Sequence, residues 1–330
     1  MAYYVGVDLG ATNLRAVVGD DGADVIARSE VETPRDSGIA VTEAVLDVVR
    51  AACADANVDP SDVAAAGVAS IGPLDLAEGV IDGPANLPNV GRVPLVGPLS
   101  ELLDTDRVHL HNDTVAGVIG ERFHSDRNPD DMAYVTISSG IGAGVCVDGH
   151  VLSGWDGNAG EIGHVVVDPN GAMTCGCGRD GHWEAYCSGN NVPEYARHLA
   201  EAESVPTDLP LDSPEFSAVD VFEARSDDPL ADLTIERFAD WNGIGFTSLA
   251  NAYAPLVVRV GGAVALNNPD VVLDPVRERL RESTFVNVPD VRLTEMGDDV
   301  VVVGALASAI TGRRGERSGH RTAGSGNETR

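Results

Sequence analysis

The chain has 330 residues, 43% of them hydrophobic, which is enough for two domains with separate cores and lies outside the composition of a disordered chain. Its 52 acidic side chains face 22 basic ones, for a formal net charge of −30, and no lysine occurs. A molecule of that sign repels nucleic acid and anionic lipid, so neither is expected as a partner.

Self-repulsion of this size strains a compact state in dilute buffer and is relieved at molar salt, where the Debye length is about 3 Å. A salt-rich cytoplasm is therefore the expected setting. No basic segment followed by an apolar core opens the chain, and no apolar run reaches membrane-spanning length, so a soluble cytoplasmic protein is expected. Five cysteines are an odd number for disulfides.

Tyr3 to Val7 is a short β-favouring run, followed by Asp8-Leu-Gly10-Ala-Thr12-Asn13 and a second strand pattern from Leu14 to Val18. Backbone N–H groups of such a small-residue hairpin, with the Thr12 hydroxyl, can face phosphate oxygens, and Asp8 can hold magnesium through water. An ordinary turn explains the same residues. Asp24 to Val31 reads as a third strand. From Ile39 to Ala54 the apolar positions Val41, Val45, Val48, Val49 and Ala52 follow a helical period, and Val63 to Ser70 is a strand suited to the middle of a covered sheet. Residues 71–74 and 83–88 are Gly/Pro-punctuated loops, the second carrying Asn86, which reads as a turn residue or a hydroxyl contact.

Arg107 to His111 is a strand running into Asn112-Asp113, and Thr114 to His124 has helical spacing. A carboxylate there can cap the helix, or it can act as general base toward a hydroxyl in a cleft. Ala133 to Ile137 and the strand ending at Val147 flank Ser138-Ser139-Gly140-Ile141-Gly142-Ala143-Gly144, a second hairpin able to approach phosphate. It is neither a P-loop nor a dinucleotide fingerprint, because no Gly-Lys-Ser/Thr follows and a strand comes next. Two such hairpins, one early in each half, predict a duplicated architecture with nucleotide between the halves.

Between Asn158 and Ser188 the thiols of Cys175 and Cys177, the imidazoles of His164 and His182 and the carboxylates of Glu161 and Glu184 are interspersed with glycines. His164, Cys175, Cys177 and His182 compose a closed ligand set of the kind structural zinc prefers. Cys53, Cys146 and Cys187 read as inert buried thiols. Val192 to Ala202 continues as helix, residues 203–226 read as an acidic surface insertion, and Leu230 to Tyr253 reads as a long amphipathic helix. Leu256 to Val260 is a strand ending at Gly261-Gly262, where the backbone can approach adenosine or simply turn. Pro275 to Ser283 reads as helix, Val286 to Leu293 and Val300 to Val303 as strand remnants, Ala305 to Ile310 as a closing helix, and residues 313–330 as a disordered tail.

The run Gly163-His164 followed by Cys-x-Cys-Gly-x-x-Gly-x-x-Glu resembles the signature of the ROK family of sugar kinases and sugar-responsive repressors. The family's usual third cysteine is replaced here by His182. The first hairpin is similar to the family's Asp-x-Gly-Gly-Thr-Lys, with Ala11 and Asn13 substituted, and Asn112-Asp113 with Gly120-Glu121 resembles its catalytic segment. The resemblance implies a two-domain actin-like ATPase fold of class α/β. The expected division is 1–112 completed by the closing helix 304–312, then 113–303 carrying the zinc segment 158–188, with the ligands in the cleft between.

The resemblance further implies a glucokinase-like hexose kinase that uses Mg-ATP and structural zinc. Asp113 is the expected base, and Asn86, Asn112, Glu161, His164 and Glu184 ring the sugar with it. The donor is expected to meet Asp8, Gly10, Thr12, Asn13, Ser139, Gly140, Gly142, Gly261 and Gly262. Glucose is the expected hexose, with fructose, mannose or an N-acetylated amino sugar as alternatives, and a homodimer or homotetramer is expected. The family's repressors carry a winged-helix domain ahead of the first hairpin, and with that hairpin at Asp8 a repressor is not the expected reading. A zinc deaminase would need His-x-Glu with Pro-Cys-x-x-Cys, which Cys-Gly-Cys does not supply.

Overall fold

The first strands are β1 (Tyr3–Leu9), β2 (Asn13–Gly19) and β3 (Val25–Glu32), followed by α1 (Gly38–Ala56) and β4 (Val63–Ser70). Then come three short strands, β5 (Leu74–Asp75), β6 (Val80–Asp82) and β7 (Arg92–Pro94), with α2 (Val96–Leu103), β8 (Val108–Asn112) and α3 (Asp113–His124). The second half contains β9 (Met132–Ile137), β10 (Ile141–Val147), β11 (His150–Val151), α4 (Glu184–Cys187), α5 (Val192–Glu203), α6 (Ala218–Glu223) and α7 (Pro229–Tyr253). It ends with β12 (Val257–Gly261), α8 (Ala263–Asn267), α9 (Pro269–Ser283), β13 (Asp290–Leu293) and α10 (Val300–Thr311). This is a computed structural model, and it describes residues 2–84, 87–126, 128–155, 157–312 and 315.

The two main sheets repeat one plan. The first runs β3-β2-β1-β4-β8 and the second β11-β10-β9-β12-β13. In each, the opening hairpin is antiparallel and the two strands on its other side are parallel. The helix after the fifth strand of each sheet crosses to the other one: α3 packs on β9 and β10, and α10 on β1 and β4. This reciprocal exchange brings the two helices against each other between the sheets.

Close approach is what this arrangement demands of the sequence. A Cβ added at Gly304 of α10 would lie 1.9 Å from the carbonyl oxygen of Ala116, and one at Gly67 of β4 would lie 1.9 Å from that of Ala305. Val17 of β2, Val115 and Ile119 of α3, and Val302 and Leu306 of α10 fill the space around the crossing as one apolar cluster. On the far side of the first sheet Val41, Val45, Val48 and Val49 of α1 pack against Val5, Val7 and Val68. Ser37 caps that helix by accepting the Ala40 N–H. The second sheet is covered by α5, α7 and α9 around the fully buried Trp183 and Tyr186.

Three readings are corrected. Val300–Val303 opens α10 rather than forming a strand: a helix covered on several sides needs no amphipathic period, so its four valines mimic a buried strand. The 203–226 insertion contains α6 with a Ser217/Asp220 capping box and contributes buried Phe216 and Val221 to the core. Asp228 ties the insertion down, accepting from the Thr207 hydroxyl, the Asp208 N–H and the first N–H groups of α7. Third, α9 starts at Pro269 and carries Pro275 inside it. The small β5–β7 sheet and α2 were not anticipated, although Leu95, Leu99, Leu102 and Leu103 follow a helical period. The tail expected to be disordered lies, apart from Gly315, outside the described residues.

Candidate active site

The register of β1 on β2 sets Asp8 directly across from Arg15. The guanidinium donates to one carboxylate oxygen, Oδ2, from Nη2 at 2.6 Å and Nε at 3.2 Å, so Oδ1 is not engaged by it. Asp8 is only 7% exposed. Burial raises its pKa, against the opposing pull of Arg15. The hairpin above it is braced by Thr33, whose N–H donates to the Thr12 carbonyl and whose hydroxyl donates to that of Gly10, both at 2.8 Å. Thr12 and Asn13 are exposed at its tip. A carboxylate with one oxygen outside its ion pair suits a hydrated divalent cation.

Asn112 is the N-cap of α3, its Oδ1 accepting the Thr114 N–H at 3.0 Å and the Thr114 hydroxyl at 2.7 Å. Capping thus falls to Asn112, and Asp113 is the first helical residue. Its Oδ1 also accepts the Thr114 N–H, at 2.7 Å. Burial pushes the Asp113 carboxyl up to about 6, partly offset by the Thr114 N–H and reinforced by the charges of Asp8 and Glu161. A carboxylate at a helix N-terminus, half-buried and poised near neutrality, has the protonation behaviour of a general base.

The second hairpin closes onto this point. Its Gly142 lies against Thr114 of α3, where an added Cβ would come within 2.8 Å of the threonine methyl. Glu184, the first residue of α4, accepts the Ile141 N–H through Oε2 at 2.8 Å, and the same oxygen would meet a Cβ on Gly140. The carbonyls of Ser138 and Ser139 accept from Gly189 and Asn190. Gly262 has φ +87°, and a Cβ there would lie 2.5 Å from the Ile137 carbonyl oxygen. The Gly261–Gly262 turn is therefore required by the packing of β12 on β9 before any ligand is considered.

His164, Cys175, Cys177 and His182 converge, with one potential ligand atom from each within 4.8 Å of the others. Tetrahedral zinc, with bonds of about 2.3 Å to sulfur and about 2.0–2.1 Å to nitrogen, spaces its ligand atoms roughly 3.3–3.8 Å apart. The Cys175 Sγ to His164 Nδ1 distance of 3.7 Å and the Cys177 Sγ to His182 Nδ1 distance of 3.3 Å fall in that range, so the set is compatible with the ion. The Cys175 N–H to Arg179 carbonyl bond and the Gly178 N–H to Cys175 carbonyl bond, both 2.8 Å, shape the turn that presents the two thiols. Asp168 anchors the preceding loop, taking the Tyr186 hydroxyl at 2.6 Å and the Asn170 and Ala172 N–H groups. Burial opposes its charge, but these donors hold its pKa below the usual carboxylate value.

The Cys/His cluster adjoins two of the carboxylates. Glu161 Oε2 lies 3.8 Å from His164 Nε2, and Glu184 Oε1 lies 3.6 Å from Cys175 Sγ. Asn86 falls outside the described residues. Cys53, Cys146 and Cys187 are buried, the first two with thiols pushed up to about 11 by burial. Sequence reasoning missed Arg15, whose signal was its period-2 position on β2 facing Asp8. It also missed Asp168 and Tyr186, which carried no local signal.

A model described as ROK family matches residues 4–311. The chain is 36% identical over 313 residues to the glucokinase of Pyrobaculum calidifontis, covering 94% of this chain and 95% of that protein. Among solved structures it is similar to the ROK hexokinase of Thermus thermophilus, with TM-score 0.77, 32% identity, and 93% and 97% of the two chains covered. It is also similar to a ROK family glucokinase of Streptomyces griseus in complex with glucose and AMPPNP, with TM-score 0.70, 30% identity, and 93% and 99% covered. The fold is the two-domain, actin-like α/β architecture.

Proposed function

The chain belongs to the ROK family, and from that premise we propose that it is a hexose kinase transferring the γ-phosphate of ATP to the 6-hydroxyl of glucose. The observation that carries this reading is Asp113, held at the start of α3 between the two hairpins with its carboxyl raised to about 6. Asp113 accepts the proton of the sugar hydroxyl as that oxygen forms its bond to phosphorus and the bond to the departing ADP oxygen breaks. Asn86, Asn112, Glu161, His164 and Glu184 hold the remaining hydroxyls. The two hairpins, with Gly261 and Gly262, embrace the donor, and Asp8 would hold magnesium through water; that ion supplies charge neutralisation at the phosphates.

His164, Cys175, Cys177 and His182 would hold zinc, which supplies a rigid anchor and takes no part in phosphoryl transfer. Its contribution is to fix the His164 ring while that residue faces the sugar. The division into 1–112 with 304–312 and 113–303, a homodimer or homotetramer, and a salt-rich cytoplasmic setting belong to the same reading. Among the described residues no helix is long and apolar enough to cross a membrane. A coupled ADP-release assay over a hexose panel in molar KCl tests the proposal. Turnover greatest with glucose is expected, and no ADP release with any hexose overturns it.

A further inference from the structure

The guanidinium of Arg15 does more than pair with Asp8. Its Nη2 also donates to the Asp298 carbonyl at 3.1 Å, and its Nη1 lies 3.5 Å from Asp299 Oδ1. Asp299 is held from the other side by Arg28 of β3, whose Nη2 lies 2.6 Å from Asp299 Oδ2. Asp298 and Asp299 form the last turn before α10, in the segment that leads from β13 of the second sheet to the helix packed on the first. That segment and the β8–α3 junction at Asn112–Asp113 are where the chain passes between the packing units of the two sheets. One side chain therefore joins the carboxylate at the phosphate hairpin to a crossing point between the halves.

The pair is not a loose surface bridge. The side chains of Arg15 and Asp8 are 18% and 11% exposed, so their attraction is weakly screened and the guanidinium has little freedom to leave. The flat fork of arginine spreads its contacts over three nitrogens, Nε and Nη2 on Asp8, Nη2 on the Asp298 carbonyl and Nη1 toward Asp299, and the single nitrogen of a lysine ammonium cannot span all three partners.

Resting on the kinase reading above, we propose that Arg15 is a positioning residue that orients Asp8 toward the metal-bound donor and, through Asp298 and Asp299, couples donor binding to the placement of the sugar-binding half. Occupation of the donor site then tightens glucose binding, and glucose tightens donor binding by the same factor.

Calorimetric titration of glucose into the full-length protein, with and without Mg-AMPPNP, measures this coupling as a ratio of dissociation constants, and the magnesium dependence of AMPPNP binding is measured alongside. In the parent protein the ratio should lie in the range of roughly 5–150 typical of coupled sites. Arg15→Met keeps the apolar stem and removes the fork. It should weaken the magnesium dependence roughly 10–100-fold and bring the coupling ratio to about one. Arg15→Lys should recover most of the magnesium dependence without the coupling. Asp299→Asn, which leaves the Asp8–Arg15 pair intact, should retain magnesium dependence while reducing the coupling ratio. A purely structural role would lower the melting temperature of all three variants and leave the ratio at the parental value, and that result overturns the proposal. A parent ratio of one also overturns it. A parent that binds no hexose at all instead removes the kinase reading beneath it.

Discussion

Acidification should inactivate the protein through one identifiable proton. An ordinary aspartate, at pKa 3.8, is about 94% ionised at pH 5, and its loss of charge would not be felt there. With its carboxyl at about 6, Asp113 is about 90% ionised at pH 7 and about 10% at pH 5. Because only the ionised form can take the hydroxyl proton, kcat/KM should fall about tenfold between pH 7 and pH 5 and about tenfold for each unit below.

The sign of the stability linkage separates this loss from unfolding. The folded-state pKa is raised, so the contribution of Asp113 to stability is fully present below about 3.8 and is lost as pH rises through about 6. Acidification across this window protonates the site while Asp113 itself favours the fold more. Steady-state kinetics at constant molar KCl, with circular dichroism at each pH, would follow both. Asp113→Asn should lower turnover at least about a hundredfold and change sugar affinity far less, and its residual rate should lack the acid limb. Removing one neighbouring charge with Glu161→Gln should move the limb to lower pH. A kcat/KM that is flat from pH 7 to pH 5, or an Asn variant with near-parental turnover, would refute the assignment of Asp113 as base.

Elemental analysis should find about one zinc per chain, and Cys175→Ser or Cys177→Ser should lose it and weaken sugar binding roughly 10–100-fold through a loosened His164; full activity of metal-free protein would count against this. Melting temperature should rise steadily with KCl, since the net charge of −30 repels itself until screened, and a salt-independent melt would remove the salt-adapted reading. Gly304→Ala should destabilise the protein by roughly 1–3 kcal/mol or more, because the added methyl would stand 1.9 Å from a backbone oxygen of the facing helix. Denaturant unfolding of that variant at parental midpoint would show that α3 and α10 can part without cost.

The sequence alone determined the elements whose signals are local. The hairpin at Asp8 to Asn13, the apolar β4 run at Val63 to Ser70, the amphipathic α1 and the long α7 follow from side-chain period and turn chemistry over a few residues. The Cys/His cluster was legible for the same reason, since Cys175 and Cys177 are one residue apart among glycines and His182 follows within the same turn-rich stretch.

Tertiary structure decided what depends on partners far along the chain. Val300–Val303 became helix because α3 and the first sheet cover it on several faces, a circumstance no window of sequence contains. Which residue caps α3 was undetermined until Asn112 took the cap, and the raised carboxyl of Asp113 follows from burial with Asp8 and Glu161 nearby. Arg15 gained its contact with Asp298 only when a residue 283 positions away in sequence folded back beside it. Propensity and spacing act over one or two turns of chain, whereas ion pairing, desolvation and backbone contact depend on distance in space, which only the folded chain sets.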